Sequence, residues 1–304
     1  MSYIHFGSTL KCLREQQKVA IERLAYGIMP VETLDEIECG KYLPTKDMVD
    51  MLLSRLGVTA QFFAPQYMDE DAFEANTFCL HLKYCLNNHL YELAEKPLLK
   101  MSELPQFVGG TMRQTYLHGM ASVCLYKDED SKGALKYLRE AIRITLLNFK
   151  EDEVSTYLLG DYEISIINSI ADAYESEGKP DKAISLLEQL VTAIGTSMIN
   201  MHKRVRYLAH VLYNLTNKLG EAGRREESLE ECDRAIGLCE IHTEFEVLPL
   251  LRYNKAYNLF HLGKQDKVKD LIYQAYYGSL SHGDNFYATA IRENAEKELG
   301  IVFE

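Results

Sequence analysis

Residues 171–190 read ADAYESEGKPDKAISLLEQL. Apolar and small residues recur at helical spacing on both sides of Gly178, so the stretch encodes the end of one helix, a glycine turn and the start of a second. The same arrangement recurs about Gly223 and Gly263. Seven residues before the glycines stand Ala171, Thr216 and Ala256, and four before them Tyr174, Leu219 and Leu259. Five residues after come Ala183, Ser228 and Val268, nine after come Leu187, Cys232 and Ile272, and twelve after come Leu190, Ala235 and Ala275. Small side chains fall where two helices must approach closely, and larger apolar ones fill the space beside them.

Helix pairs of this kind resemble tetratricopeptide repeats. A further copy is legible around Ala134, Leu138 and Ala141, although its turn, KDEDSKG, has no glycine at the regular place. A weaker one lies around residues 71–100 and is broken at Asn87-Asn88. The three glycines are 45 and 40 residues apart, against about 34 in the regular repeat, which requires longer helices or padded connections. An all-α solenoid over residues 66–304 is therefore expected, its concave side lined by the first helix of each pair. Counting back from the glycines places Asn168, Asp172 and Glu175 on that side in one repeat. His210, Tyr213, Asn214 and Asn217 follow in the next, and Tyr253, Asn254, Tyr257 and His261 in the last. An asparagine amide both donates and accepts, so it can bond the two groups of a single peptide unit; tyrosines supply apolar walls with a polar tip. This lining suits a short extended peptide, while the plainer reading is that these residues cap or solvate long helices.

The N-terminal 63 residues have a different character. Apolar positions at helical spacing (Leu10 and Leu13; Ile21, Leu24 and Ala25; Leu34 and Ile37; Val49, Leu52, Leu53 and Leu56) predict several short helices in a compact bundle. Pro30 stands where a first helical residue is allowed, and Gly40 follows the third helix as a stop. The pattern changes at Gln61-Phe-Phe-Ala-Pro65, where a domain boundary is expected. Residues 1–63 hold seven basic against eight acidic side chains, and the remainder 26 against 37.

The stretch LAYGIMPVETLDEIECGKYLP, followed by LLSRLGVTAQFF, resembles the Cro/repressor-type helix-turn-helix. It is most similar to the variant in the RRNPP family of peptide-pheromone receptors (Rgg-, PlcR- and PrgX-like), with Leu24, Gly27, Ile28, Leu34, Ile37, Glu38 and Gly40 at the matching places. The resemblance covers the whole chain, because that family joins such a domain to a tetratricopeptide array of this length. It implies DNA contacts from Lys11, Arg14, Lys18, Lys41 and Lys46 to phosphates, and from Val31, Glu32, Thr33 and Asp35 on the recognition helix. One departure is physical. Where the family carries small polar or basic residues, this helix carries Pro30, Glu32, Asp35 and Glu36. Carboxylates are repelled by phosphates, and in the major groove only cytosine N4 offers them an obvious donor.

Composition narrows the alternatives. The net charge of −12 opposes non-specific nucleic-acid binding over the whole surface but not on one local face. No apolar run reaches the length of a membrane span, and the start lacks the charge and hydropathy order of a secretory signal, so a cytoplasmic protein is expected. Seven scattered cysteines without a C-x-x-C pair suit reduced, mostly buried thiols. No nucleophile elbow, phosphate-binding loop, zinc-protease helix or dinucleotide fingerprint is present, so neither enzymatic activity nor a cofactor is expected. Asp128-Glu-Asp130-Ser-Lys132-Gly133 begins like a calcium loop but has Lys132 at a ligand position and Arg139 where the bidentate Glu should be. His81, Cys85 and His89 would align as metal ligands only on one unbroken helix. Met198 and Met201 are expected in the core, and the run from Glu226 to Glu231 on a solvated face. Arg204 and Arg206 either meet a ligand carboxylate or form surface ion pairs.

The expectation is a transcriptional regulator that binds operator DNA as a homodimer and is controlled by a short signalling peptide, without a membrane partner. The alternative is a Rap-like protein-interaction adaptor whose helix-turn-helix no longer binds DNA.

Overall fold

A computed structural model describes residues 3–57, 70–197 and 199–303. The described residues form α-helices, short 3-10 turns and connecting loops, without a strand. The expected boundary at residues 61–65, like Met198, lies outside them. The chain divides into two compact units, Met1–Lys182 with Thr196–Asn200, and Ala183–Gly195 with Met201–Glu304.

The first unit opens with the bundle α1 (Tyr3–Gln16), α2 (Ile21–Ala25), α3 (Val31–Glu38) and α4 (Lys46–Arg55). Its centre is built from the apolar positions read in the sequence: Leu10, Leu24, Leu34, Ile37, Leu52, Leu53 and Leu56 are buried, with Leu13 and Ile21 packed around them. Pro30 is the residue before α3 rather than its first helical residue, and Gly40 follows α3 with a φ of +71°. A buried guanidinium ties the bundle to the repeats. Arg55 Nη1 donates to the carbonyls of Leu24 (3.0 Å) and Tyr26 (2.5 Å), and Nη2 reaches Thr145 O and Glu163 Oε1, both at 3.5 Å. Alongside, the Asp161 amide donates to Ser54 Oγ at 3.0 Å. Gly27 lies so close to the Thr145 carbonyl that a Cβ would come within 1.6 Å of it.

The repeats of this unit are α5 (Glu70–Asn87), α6 (Tyr91–Glu103), α7 (Gly110–Tyr126), α8 (Ser131–Thr145) and α9 (Asp161–Ser176). Neighbouring helices pack in chain order, and α5, α7 and α9 also adjoin one another successively. Ala134, Leu138 and Ala141 are fully buried on α8, as the repeat pattern requires. The helix α10 (Pro180–Gly195) carries the chain into the second unit, which contains α11 (Met201–Glu221), α12 (Arg225–His242), α13 (Leu248–His261), α14 (Val268–Ser281) and α15 (Asn285–Glu298). The wide glycine spacing comes from both sources: α11 has 21 residues and α12 has 18, and residues 196–200 and 243–247 connect them to their neighbours.

Each repeat turn closes in the same way. Gly178, Gly223 and Gly263 adopt positive φ, and the amide of the next residue returns to the carbonyl five back: Lys179 to Tyr174, Arg224 to Leu219 and Lys264 to Leu259, each at 2.9 Å. Where glycine is missing, Glu129 (φ 55°) and His89 (φ 57°) take the left-handed position instead, so both degenerate copies keep the turn. The α5 helix accordingly ends at Asn87, which breaks the alignment of His81, Cys85 and His89. Met201 is 48% exposed at the start of α11, a correction to its expected place in the core: it precedes the first buried position of that helix, Val205.

Candidate functional site

On the N-terminal bundle the short turn after α2 delivers the chain into α3, and α1 and α2 both pack on α3. Lys18 and Lys41 are exposed on the loops flanking α2 and α3, and Lys11 is half-buried on α1. Val31 and Thr33 are half-buried in the first turn of α3, while Glu32, Asp35 and Glu36 are exposed. The outward face of α3 is therefore acidic, as the sequence indicated.

Arg14 is corrected as an expected phosphate contact, and Lys46 is found in a pair on its own helix. Arg14 donates from Nε and Nη2 to the two oxygens of Glu38, at 2.6 and 2.7 Å, and from Nη1 to Val19 O at 3.1 Å. Its side chain is 11% exposed, and this fork holds α1 against α3; the Glu38 hydrogen bonds raise the Arg14 pKa above its ordinary value. Lys46 opens α4 and pairs with Asp50 one turn on at 3.2 Å, with its side chain 20% exposed. Asp47 is held above its ordinary pKa by burial and by Asp50, against Lys46 and a hydrogen bond from Thr111.

In the first unit, α9 presents Asn168, Asp172 and Glu175, all half-buried. Tyr126 OH on α7 donates to Asp172 Oδ2 at 3.0 Å, and two turns of α7 earlier His118 Nε2 lies 2.9 Å from Ser169 Oγ. His118 keeps some exposed surface, yet desolvation pushes its imidazole down to about 4.

In the second unit α11 adjoins α13. Half-buried Tyr213 joins Tyr253 in a cluster around Leu250, Ala275 and Ile291. Asn214 and Asn217 are half-buried on α11, and Asn217 Nδ2 donates to Glu221 Oε1 at 3.2 Å. His210 Nδ1 lies 2.9 Å from Arg206 O, and its Nε2 3.7 Å from Glu246 Oε1. Beside His210 and Arg206, whose Nη2 is 2.5 Å away, the Glu246 carboxyl falls to about 2. Arg206 thus makes the surface ion pair. Tyr253, Tyr257 and His261 run as a ladder along α13, with centroids 6.4 and 4.4 Å apart, and Arg225 stacks over Tyr257 at 5.6 Å. The two tyrosines also pack into the cluster that holds Ala295 and Leu299 at the end of the chain; burial pushes the Tyr253 hydroxyl up to about 12.

Asn254 departs from its expected role. It is 4% exposed, and its Nδ2 donates to Thr216 Oγ1 at 3.0 Å and to Tyr213 O at 3.3 Å. One turn on, buried Asn258 Nδ2 donates to Ser228 Oγ (2.9 Å), which in turn donates to Thr216 O (2.6 Å). The geometry withdraws Asn254 from the ligand-facing set, because its amide knits α11 to α13. Thr216 and Ser228 stand where the other repeats have Ala or another apolar residue. These polar substitutions within the repeat pattern are the sequence signal that buried amides lie opposite.

The sequence reading also passed over a row of cations. Lys132, Lys136, Arg139 and Arg143 recur at helical spacing along α8 and, with Glu140 and Ile144, line a surface groove of about 520 Å³. The would-be calcium loop serves as its N-terminal cap, since Asp130 accepts from the Gly133 amide at 2.9 Å. Among the described residues no three His, Cys, Asp or Glu side chains are grouped to hold a metal, and no helix is long and apolar enough to cross a membrane. All seven cysteines are free, with Cys85, Cys232 and Cys239 buried and Cys12 and Cys39 exposed.

No family model matches the chain, nor does the sequence of any curated protein. Solved structures do match. Bacillus thuringiensis PlcR, in complex with the peptide PapR7 and DNA, is similar with a TM-score of 0.59 over 94% of this chain and 98% of that one, at 20% identity. The SHP pheromone receptor Rgg2 of Streptococcus dysgalactiae gives 0.53 over 96% of this chain and 99% of that one, at 17% identity. Aspartyl phosphate phosphatase F from Bacillus subtilis gives 0.53 over 98% of this chain and 70% of that one, at 16% identity. The chain thus has an all-α fold of stacked, tetratricopeptide-like helices. It is the fold of PlcR and Rgg2, shared along nearly the whole length of each.

Proposed function

We propose that this chain is a cytoplasmic, peptide-responsive regulator of the RRNPP type that binds operator DNA as a homodimer. One observation carries the reading: the likeness to PlcR, a structure that holds both a peptide and DNA, runs through the N-terminal bundle and the repeats alike. Lys11, Lys18 and Lys41 contact phosphates, and Val31, Thr33, Glu32 and Asp35 of α3 face the bases. Two such bundles address two half-sites, which requires a dimer. On the repeats, Asn214 and Asn217 grip the backbone of a short peptide, with His210, Tyr213, Tyr253, Tyr257 and His261 as neighbours on the same unit. Asn168, Asp172 and Glu175 offer the corresponding face in the first unit. The peptide acts by its differential affinity for two arrangements of the chain.

Mass spectrometry of peptides released from the natively purified protein, followed by calorimetric titration, tests the peptide half of the reading. Asn214→Ala and Asn217→Ala are expected to weaken binding about tenfold each, roughly the worth of one hydrogen bond in a desolvated site. Unchanged affinity in both rejects the placement on α11. A second reading, an adaptor that binds a protein and no DNA, is favoured by the exposed carboxylates of α3 and by the likeness to the aspartyl phosphate phosphatase. Selection of duplexes from a random pool separates the two, because an adaptor enriches no sequence.

A further inference from the structure

A duplex-binding bundle with an acidic α3 has to find cations elsewhere, and the same compact unit holds them. The α8 helix carries Lys132, Lys136, Arg139 and Arg143 on one exposed face in a chain of net charge −12. Arg139 is committed, donating from Nη2 to Tyr174 OH at 2.7 Å and to Glu151 Oε1 at 3.4 Å. Glu140, the acidic residue in the groove, is neutralised by Arg113 at 2.8 Å. Among the described residues, Lys132, Lys136 and Arg143 have no ion-pair partner. Eleven residues separate the first from the last, a span of about 16 Å along the helix, or about five base-pair rises of one strand.

The position of this row is as informative as its charge. It ends two residues before Thr145, whose carbonyl meets Arg55 Nη2 and lies against Gly27 in the turn between α2 and α3. The row is therefore fixed to the helix-turn-helix through a buried guanidinium and a close backbone approach.

We propose that Lys132, Lys136 and Arg143 form a second, sequence-independent DNA contact that grips the phosphate backbone of duplex flanking the segment addressed by the N-terminal bundle. The proposal rests on the DNA-binding reading above and adds to it the surface that offsets α3. Duplex DNA suits the row because a polyanion needs only a line of cations, and Lys132, Lys136 and Arg143 have no ion pair to give up among the described residues.

The test uses the full-length chain and a 40-base-pair duplex of arbitrary sequence, with binding followed by fluorescence anisotropy as salt is raised. Each cation withdrawn from a phosphate lowers the slope of log affinity against log salt by about 0.9, so Lys132→Gln/Lys136→Gln/Arg143→Gln should flatten it by about 2.7. The charge-conserving Lys132→Arg/Lys136→Arg/Arg143→Lys should retain the slope, and circular dichroism of both should match the wild type. A separate Lys18→Gln/Lys41→Gln variant should flatten the slope independently. An unchanged slope in the α8 variant, with a flattened one in the bundle variant, overturns this proposal and leaves the DNA-binding reading standing. A flattened slope in the α8 variant alone supports the α8 contact and overturns the role of the bundle. Absence of duplex binding, with polyglutamate captured through the same three cations, overturns both in favour of an acidic protein partner.

Discussion

Asn254 and Asn258 are one turn apart on α13, and both are sealed between helices with their amides donating to Thr216, Ser228 and main-chain carbonyls. Truncating Asn258 leaves the buried Ser228 hydroxyl without its donor, at a cost of about 1–3 kcal/mol. Urea unfolding of Asn258→Ala should show that destabilisation with an unchanged denaturant slope. His118 makes a prediction in pH. Its folded pKa of about 4 lies below the ordinary value of 6.5, so the unfolded chain binds the extra proton between those limits. Its contribution is complete above pH 6.5 and is lost as pH falls toward 4. Thermal unfolding of His118→Gln should therefore decline less than wild type over that interval, and an identical decline would show that the imidazole is solvated. Which asparagine is interior was not legible at this scale. Asn214, Asn217 and Asn254 are the same residue type on first helices of neighbouring repeats, and only the packing of α11 on α13 separates the sealed one from the others.

Helix ends were the most legible elements. A glycine at fixed distance from small and apolar positions encodes a turn because the left-handed conformation costs a side chain about 1–2 kcal/mol and glycine nothing comparable. Four described residues other than glycine bear that cost, among them Glu129 and the β-branched Thr243, whose φ is 57°. Thr243→Gly should accordingly raise stability by up to about 1 kcal/mol, read as an upward shift in melting temperature. Gly223→Ala, at φ +81° with open space around it, should lower stability by a similar amount through backbone strain alone. The charge on α3 was equally legible, since surface residues of a short amphipathic helix follow from its period. The basic row on α8 has the same kind of period, but its first member, Lys132, falls in a stretch that begins like a calcium loop.

Arg55 links the bundle to the repeats, and the sequence offers no hint of it beyond a lone arginine among leucines. Burial lowers the pKa of its guanidinium, against the pull of Glu163, but hydrogen bonds to Leu24, Tyr26 and Thr145 keep the charge satisfied. Removing Arg55 leaves the buried Glu163 carboxylate with only the Gly160 amide, so the destabilisation should approach the roughly 3–5 kcal/mol of a broken buried pair. Arg55→Met should unfold at correspondingly lower urea. Arg55→Met/Glu163→Leu should recover part of that stability, and a double variant no better than the single one would show that the main-chain hydrogen bonds carry the junction. In the regulator proposed above, because Thr145 and Glu163 belong to α8 and α9, Arg55→Met is also expected to weaken the coupling between peptide and DNA. That outcome is checked by titrating each ligand in the presence of the other.

The amino-acid order alone settled the all-helical class, the repeat and its turns, the core of the N-terminal bundle and the acidity of α3. Each of these follows from periodicity and backbone sterics within some thirty residues, and such local terms are carried by the chain itself. Tertiary structure decided the rest: that Arg14 braces α3, that Asn254 is interior, and that Arg55 lands on α8 and α9. These depend on which polar groups lose their water when distant segments meet, and desolvation is a property of the assembled surface rather than of the chain's order.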